Sequence, residues 1–240
     1  VVAVYSTFMQ RAVDQIIHDT AISNLPVVFA MDRAGLVGED GPTHHGVFDI
    51  AFMKMVPNMT VMAPSCGEEL RAMLRLAFRL KGPSSIRFPR GKAWQGPRVR
   101  NVKMAPGTSR TVLKGSGVTV LCLGTLLEEV IKAVEGLGAE YKGKIEVIDA
   151  RFAKPLDEAA IIKSVKKTGK LITVEEGCIE GGFGMSVASM LRQKRVKTDL
   201  VKILAIPDRF AGQGTMAELR AECGLDAEAI GSAIIQSLRN

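Results

Sequence analysis

Short β-branched runs alternate with amphipathic segments along nearly the whole chain, the rhythm of βαβ units wound around a largely parallel sheet. They fall into two sets. In the first, Val1 to Tyr5 predicts a strand, followed by a helix whose apolar face carries Phe8, Ala12, Ile16 and Ile17, with Ser6 or Thr7 placed to cap it. A strand at Val27 to Met31 ends in a polar loop, and a short helical stretch near Val47 to Met55 and a strand at Thr60 to Ala63 come next. Ser65-Cys66-Gly67-Glu68 has capping-box spacing and predicts a helix through about Leu80, after which Ser84 to Phe88 closes the set.

The second set opens with a strand at Val118 to Leu123. Thr125-Leu126-Leu127-Glu128 repeats the capping-box spacing and starts a helix to about Leu137. Strands at Ile145 to Asp149, Leu171 to Glu175 and Leu200 to Ile206 alternate with helices near Asp157 to Thr168, Phe183 to Arg192, Met216 to Cys223 and Ala227 to Leu238. The expected fold class is α/β, as two α/β domains at residues 1–92 and 118–240. Between them, 93–117 is rich in Gly, Pro, Lys and Arg without a sustained apolar period, and is expected to be a linker or an irregular crossing segment.

Composition narrows the function classes. The longest apolar stretches fall far short of the roughly 20 residues that a membrane-spanning helix needs, so no membrane partner is expected. Cys66, Cys122, Cys178 and Cys223 are scattered with no metal-ligand spacing, which argues against a disulfide framework or zinc site and for a reducing compartment. The net charge of +7 suggests anionic partners, but nine Phe, two Tyr and one Trp supply no basic-aromatic platform for nucleic acid. A phosphorylated small molecule fits better. The chain begins Val1-Val2-Ala3-Val4-Tyr5 with no initiator methionine, and is expected to be a fragment that starts within a domain.

The densest polar cluster runs from Asp32 to Gly46, directly after the second apolar strand. It holds His44, His45, Asp32, Glu39, Asp40 and Arg33 among glycines, at the carboxyl end of a strand, where open α/β sheets place their ligands. The plainer alternative is a glycine-rich surface turn. A zinc site is disfavoured, because adjacent histidine side chains usually diverge. In Arg87-Phe88-Pro89-Arg90-Gly91, an arginine just past a strand can be aimed into the same crevice, where its planar fork suits phosphate; pairing with a surface acid is the competing reading. Glu176 to Gly184 joins a strand to a helix but has neither nucleotide-loop spacing, and is expected to be a tight packing connection. Cys66 is expected beside a helix cap, and His18 on the surface.

Three stretches together, Tyr5-Ser6-Thr7-Phe8-Met9-Gln10-Arg11-Ala12, Asp32 through Gly41-Pro42-Thr43-His44, and Arg87 to Gly91, closely resemble the 1-deoxy-D-xylulose-5-phosphate synthases, thiamine-diphosphate enzymes of the transketolase superfamily. The likeness continues through Asp149-Ala150-Arg151-Phe152-Ala153-Lys154-Pro155-Leu156-Asp157, Thr173 to Gly177 and Leu204 to Asp208. It implies a partial pyrimidine-binding domain followed by a transketolase C-terminal domain. Phe8 would stack on the cofactor's aminopyrimidine with Arg11 beside it. Tyr5, Arg33 and Arg90 would surround the phosphate of glyceraldehyde 3-phosphate, while Asp40 and His44 would bond substrate hydroxyls and assist proton transfer.

The implied reaction is the decarboxylative condensation of pyruvate with glyceraldehyde 3-phosphate, for isoprenoid precursors, thiamine and pyridoxal. The resemblance also implies a homodimer located in a bacterial cytoplasm or plastid stroma. The diphosphate and Mg2+ ligands and the activating glutamate would lie in an N-terminal part of the same enzyme, with no metal ligand in this chain, and the fragment alone would be inactive. His45 stands where that family often carries glutamine or another residue, and Cys66 replaces a typically acidic one. Two other readings compete: another thiamine-diphosphate enzyme, either a transketolase or a pyruvate dehydrogenase β subunit, and a non-catalytic binding or assembly module.

Overall fold

The computed structural model describes residues 1–94 and 104–239. In chain order, the first half contains β1 (Val2–Tyr5), α1 (Ser6–Met9), α2 (Val13–Gln15), β2 (Val28–Asp32), α3 (Asp49–Met55), β3 (Thr60–Met62), α4 (Gly67–Ala77) and β4 (Ser84–Arg87). The second half contains β5 (Arg110–Leu113), β6 (Val118–Leu123), α5 (Leu127–Gly136), β7 (Ile145–Asp149), β8 (Phe152–Lys154), α6 (Glu158–Thr168), β9 (Lys170–Cys178), α7 (Phe183–Gln193), β10 (Leu200–Ile206), α8 (Met216–Glu222) and α9 (Ala227–Arg239).

Among the described residues two five-stranded sheets result, ordered β1-β2-β4-β3-β8 and β10-β9-β6-β7-β5. Within each, four strands run parallel and one edge strand, β8 or β5, is antiparallel. The central β6 is buried at every position, as expected of a parallel strand covered on both faces. The helices bury their apolar stripes: in α9, Ile230, Ala233, Ile234 and Ser237 face inward at i, i+3, i+4 and i+7.

The two sheets are not independent. β8 follows β7 of the second sheet closely in sequence, yet pairs with β3 of the first through Val61↔Lys154 and Met62↔Phe152. The Ala63 N–H donates to the Arg151 carbonyl at 2.8 Å beside this pairing. One hydrophobic core then runs through both halves, joining Met31, Ile50 and Met53 to Leu121, Ile148 and Phe183.

Several local expectations are corrected. The run after β1 is a broken helix, α1 and α2 separated by a 3-10 turn and followed by a π-helical stretch over Ile16–Ala21, with no side-chain cap. Thr7 Oγ1 instead donates to the Thr43 carbonyl at 3.0 Å, so tertiary contact claims the hydroxyl that local pattern assigned to capping. The Ser65–Glu68 box does not form: Cys66 is the N-cap residue, and Ser65 bonds Glu69 through both its N–H and its hydroxyl. The Thr125–Glu128 box is likewise absent, because a 3-10 turn over Gly124–Leu126 leads into α5. β5 lies inside the stretch expected to be linker or crossing segment, and residues 95–103 of that stretch lie outside the described residues. No helix among the described residues is long and apolar enough to cross a membrane.

Candidate active site

Parallel register brings the carboxyl ends of three strands to one level: Tyr5 lies opposite Asp32, and Met31 opposite Arg87. The chain segments leaving β1, β2 and β4 therefore start side by side over one crevice. The loop after β2 is pinned to itself by reciprocal bonds of 2.8 Å between Gly35 and Gly46. Gly35 has φ +80°, and a Cβ there would run into the Glu176 carboxylate of β9, so the second half presses on the loop from below. Arg33, at φ 55°, occupies the left-handed region that costs a non-glycine residue roughly 1–3 kcal/mol, a strain that aims its side chain off the strand end.

The sequence-predicted side chains form one continuous cluster. The Arg33 guanidinium carbon lies 3.8 Å from the Tyr5 ring centroid. Tyr5 stacks on Phe8 with centroids 5.7 Å apart, Phe8 meets His44 edge-on at 5.6 Å, and Arg11 covers Phe8 at 5.4 Å. On the other side, Asp40 Oδ2 lies 3.9 Å from Arg33 Nε and accepts from Arg90 Nη1 at 2.8 Å. Arg33 Nε is buried without a hydrogen-bond partner. The arginine past β4 thus pairs with an acid, but with the loop's own Asp40 rather than one elsewhere. Beside this pair a cleft of about 340 Å³ is lined by Val37, Gly38, Glu39, Arg90, Gly214 and Thr215, so both halves of the chain contribute to it.

The adjacent histidines diverge. His44 is half-buried, and its Nδ1 lies 2.9 Å from Thr43 Oγ1. His45 is 4% exposed. The Val37 N–H donates to its Nδ1 at 3.1 Å, and its Nε2 meets the Gly212 carbonyl at 2.8 Å. His44, not His45, therefore lies against Phe8 in the cluster.

Beneath the loop lies a buried polar scaffold with only weak sequence signals. Arg87 donates to Asp49 at 2.8 Å and to the Glu176 carbonyl at 3.0 Å, clamping β4, α3 and β9 together. Burial opposes its charge but the neighbouring acids hold it cationic. Glu175 accepts the N–H groups of Phe183 and Gly184 at 2.8 and 2.7 Å, so the N-terminus of α7, where a nucleotide phosphate could sit, is filled by the chain's own carboxylate. The Glu176 to Gly184 connection is therefore structural. Burial pushes the Glu175 carboxyl up, against those two donors and Lys54. Glu176 is held by Arg220 at 3.0 Å, and Arg220 also pairs with Glu129. Nothing in the local sequence around Arg87 or Glu175 announces these pairs; for Asp49 alone, an unbroken apolar context from Val47 to Phe52 is a hint.

A second buried cluster ties the halves together. Ser65 Oγ lies 2.9 Å from Glu69 Oε2 and 2.8 Å from Asp149 Oδ2, while Arg151 Nε donates to Glu69 at 2.8 Å and Arg110 Nη2 to Asp149 at 3.3 Å. One hydroxyl proton cannot serve two carboxylates. Burial first, and then the negative charge of Glu69, push the Asp149 carboxyl up to about 7, whereas Arg151, Ser65 and Arg110 overcome burial and hold Glu69 below its ordinary range. Cys66 next to this cluster is buried, and burial pushes its thiol up. His18 pairs with Asp14 at 3.0 Å on the surface.

Among the described residues no group of three or more His, Cys, Asp or Glu side chains could hold a metal ion. The edge of the cluster suits an aromatic guest: Phe8 is 36% exposed, with its ring flanked by Tyr5, His44 and the Arg11 cation.

Comparison with known proteins agrees with this architecture. The Transketolase, pyrimidine binding domain family matches residues 1–94, and the Transketolase, C-terminal domain family matches residues 107–230. The 1-deoxy-D-xylulose-5-phosphate synthase of Chlorobium luteolum is 47% identical over 96% of this chain, which covers 36% of that protein. The 1-deoxy-D-xylulose-5-phosphate synthase 1 of Geobacter sulfurreducens is 44% identical over 97% of this chain and 37% of its own length. The chain thus spans little more than a third of these curated relatives. Among solved structures, a chain described as "Split gene transketolase, inactive beta4 tetramer" superposes with a TM-score of 0.89 at 27% identity, covering 99% of this chain and 75% of that one. Campylobacter jejuni transketolase shares the fold, with a TM-score of 0.74 at 18% identity over 98% of this chain and 35% of its own. With both domain families matched in order and the fold shared throughout, the chain belongs to the transketolase family.

Proposed function

We propose that this chain is the C-terminal part of a 1-deoxy-D-xylulose-5-phosphate synthase, which condenses pyruvate with glyceraldehyde 3-phosphate with loss of carbon dioxide. It would act as a homodimer with an N-terminal part that supplies the diphosphate and Mg2+ ligands. The observation that carries the reading is the single cluster of Tyr5, Phe8, Arg11, Arg33, Asp40, His44 and Arg90 around one crevice.

Thiamine diphosphate, when bound, supplies the electron sink for decarboxylation. Phe8 offers the flat apolar surface for its aminopyrimidine, and Arg11 closes that surface at its side. Arg33 and Arg90 converge on one acceptor, Asp40 Oδ2. A phosphate dianion entering there replaces a single carboxylate with more acceptor oxygens, and the unpartnered Arg33 Nε gains a partner. Asp40, released from Arg90, is then free to accept from a substrate hydroxyl. His44, anchored through Nδ1, can pass a proton through Nε2 to the aldehyde oxygen as the new carbon–carbon bond forms.

In the complete enzyme, His44→Ala is expected to lower kcat by about 10²–10⁴-fold. Arg90→Ala is expected to raise the KM for glyceraldehyde 3-phosphate by roughly ten- to a hundredfold, the loss of one charge-assisted bond, with the KM for pyruvate unchanged. Wild-type kinetics in both variants would sink the assignment. A transketolase reading, favoured by the split-gene neighbour, is separated by product analysis: it requires transfer from a ketose donor and no release of carbon dioxide from pyruvate.

A further inference from the structure

His45 sits directly beside the residue proposed to move protons, yet it takes no part in the crevice. Both its ring nitrogens are spent on backbone. The Val37 N–H can only donate, so Nδ1 is unprotonated and Nε2 must carry the hydrogen that reaches the Gly212 carbonyl. The first bond spans from near the start of the loop to near its end. The second crosses to the segment between β10 and α8 in the other half of the chain. That segment packs closely along the loop: a Cβ on Gly38 would lie 3.4 Å from the Gly214 carbonyl, and one on Gly41 would lie 3.7 Å from Gln213 Cβ. The backbone N–H groups of His44 and His45 both turn toward the Gly41 carbonyl, at 3.0 and 3.3 Å, so the two residues move as one unit.

We propose that His45 is a positioning residue, a clasp that fastens the loop bearing Asp40 and His44 to the second domain and so sets the shape of the phosphate end of the crevice. Its hold depends on one neutral tautomer presenting an acceptor to Val37 and a donor to Gly212. Glutamine carries an acceptor and a donor on one planar amide and preserves that pairing. Phenylalanine preserves the ring volume and abolishes both bonds.

The kinetic part of this inference rests on the proposed function, whereas the clasp itself does not. The test uses the complete enzyme as wild type, His45→Gln and His45→Phe, with hydrogen exchange followed by mass spectrometry across residues 34–46 and 210–214, together with steady-state kinetics. Exchange in both segments is expected to rise at least tenfold in His45→Phe and to stay within twofold of wild type in His45→Gln. The KM for glyceraldehyde 3-phosphate is expected to rise at least fivefold in His45→Phe alone, with the KM for pyruvate within twofold. Wild-type exchange in His45→Phe would show the ring to be packing only and overturn the clasp. Equal exchange in His45→Gln and His45→Phe would overturn the hydrogen-bond account. Faster exchange with an unchanged KM would overturn the positioning role. Should the wild-type enzyme fail to consume pyruvate with glyceraldehyde 3-phosphate, the proposed function falls and the exchange measurements still decide the clasp.

Discussion

Replacing Asp149 by asparagine should make the protein gain stability relative to wild type as pH rises from 5 to 8. The wild-type carboxyl is fully buried, accepts from the Arg151 N–H at 3.2 Å, and shares Ser65 Oγ with Glu69. When protonated it donates to Ser65, which passes its own proton on to Glu69. An asparagine amide reproduces that protonated form toward its two near partners, its carbonyl toward Arg151 N and its NH2 toward Ser65, and gives up the longer Arg110 contact at 3.3 Å at every pH. Folding raises the Asp149 value from 3.8 to about 7, and each unit is worth about 1.4 kcal/mol, so the full linkage is about 4 kcal/mol.

The sign follows from the proton count. Between pH 5 and 8 the unfolded chain has already ionised Asp149, while the folded chain holds its proton at pH 5 and must release it into the interior by pH 8. The stability that the retained proton confers is lost as pH rises through about 7, and wild type should fall by about 3 kcal/mol relative to Asp149→Asn across that window. Glu69 is shifted downward, so its own contribution is lost only as pH falls below the ordinary carboxylate range, outside this interval. Urea denaturation of both proteins at pH 5, 6, 7 and 8 measures the gap. A gap that stays constant across the four values refutes the shared-proton account.

Other perturbations test the scaffold under the loop. Arg87→Leu strands Asp49 as an unpaired charge that is 0% exposed, which should cost about 3–5 kcal/mol and lower Tm by roughly 6–20 °C in a calorimetric scan; the double variant with Asp49→Leu should recover part of that loss. Gly35→Ala forces a side chain onto the Glu176 carboxylate at φ +80° and should destabilise by about 1–3 kcal/mol in denaturant titration, with loss of activity in the complete enzyme exceeding what unfolding explains.

Elements whose own periodicity buries them were legible in sequence: β7 and β10 fall at the predicted residues, and α6 starts after Asp157, whose side chain accepts from the Ala160 N–H. Capping was misjudged where a hydroxyl had a better partner elsewhere. Thr7 and Ser65 bond groups brought near by tertiary folding, which no local pattern encodes. β5 and β8 were missed because each is a short edge strand defined by its partner rather than by alternation. The gathering of Tyr5, Arg33, Asp40, His44 and Arg90 was foreshadowed by the polar loop, the arginine past β4 and the family resemblance. The bridge from His45 to Gly212 spans 167 residues and leaves no mark in either neighbourhood.

The lending of β8 to the first sheet means that the boundary between halves in sequence is not a boundary in space. A chain cut between the two matched domains would leave β3 with a row of unsatisfied backbone donors and acceptors along a strand buried at Val61 and Met62. Such an edge is a template for pairing with another molecule. The same three-residue strand that welds the chain's halves thus also covers the edge of β3, and any division of this protein into separately made parts has to carry β8 along with the first.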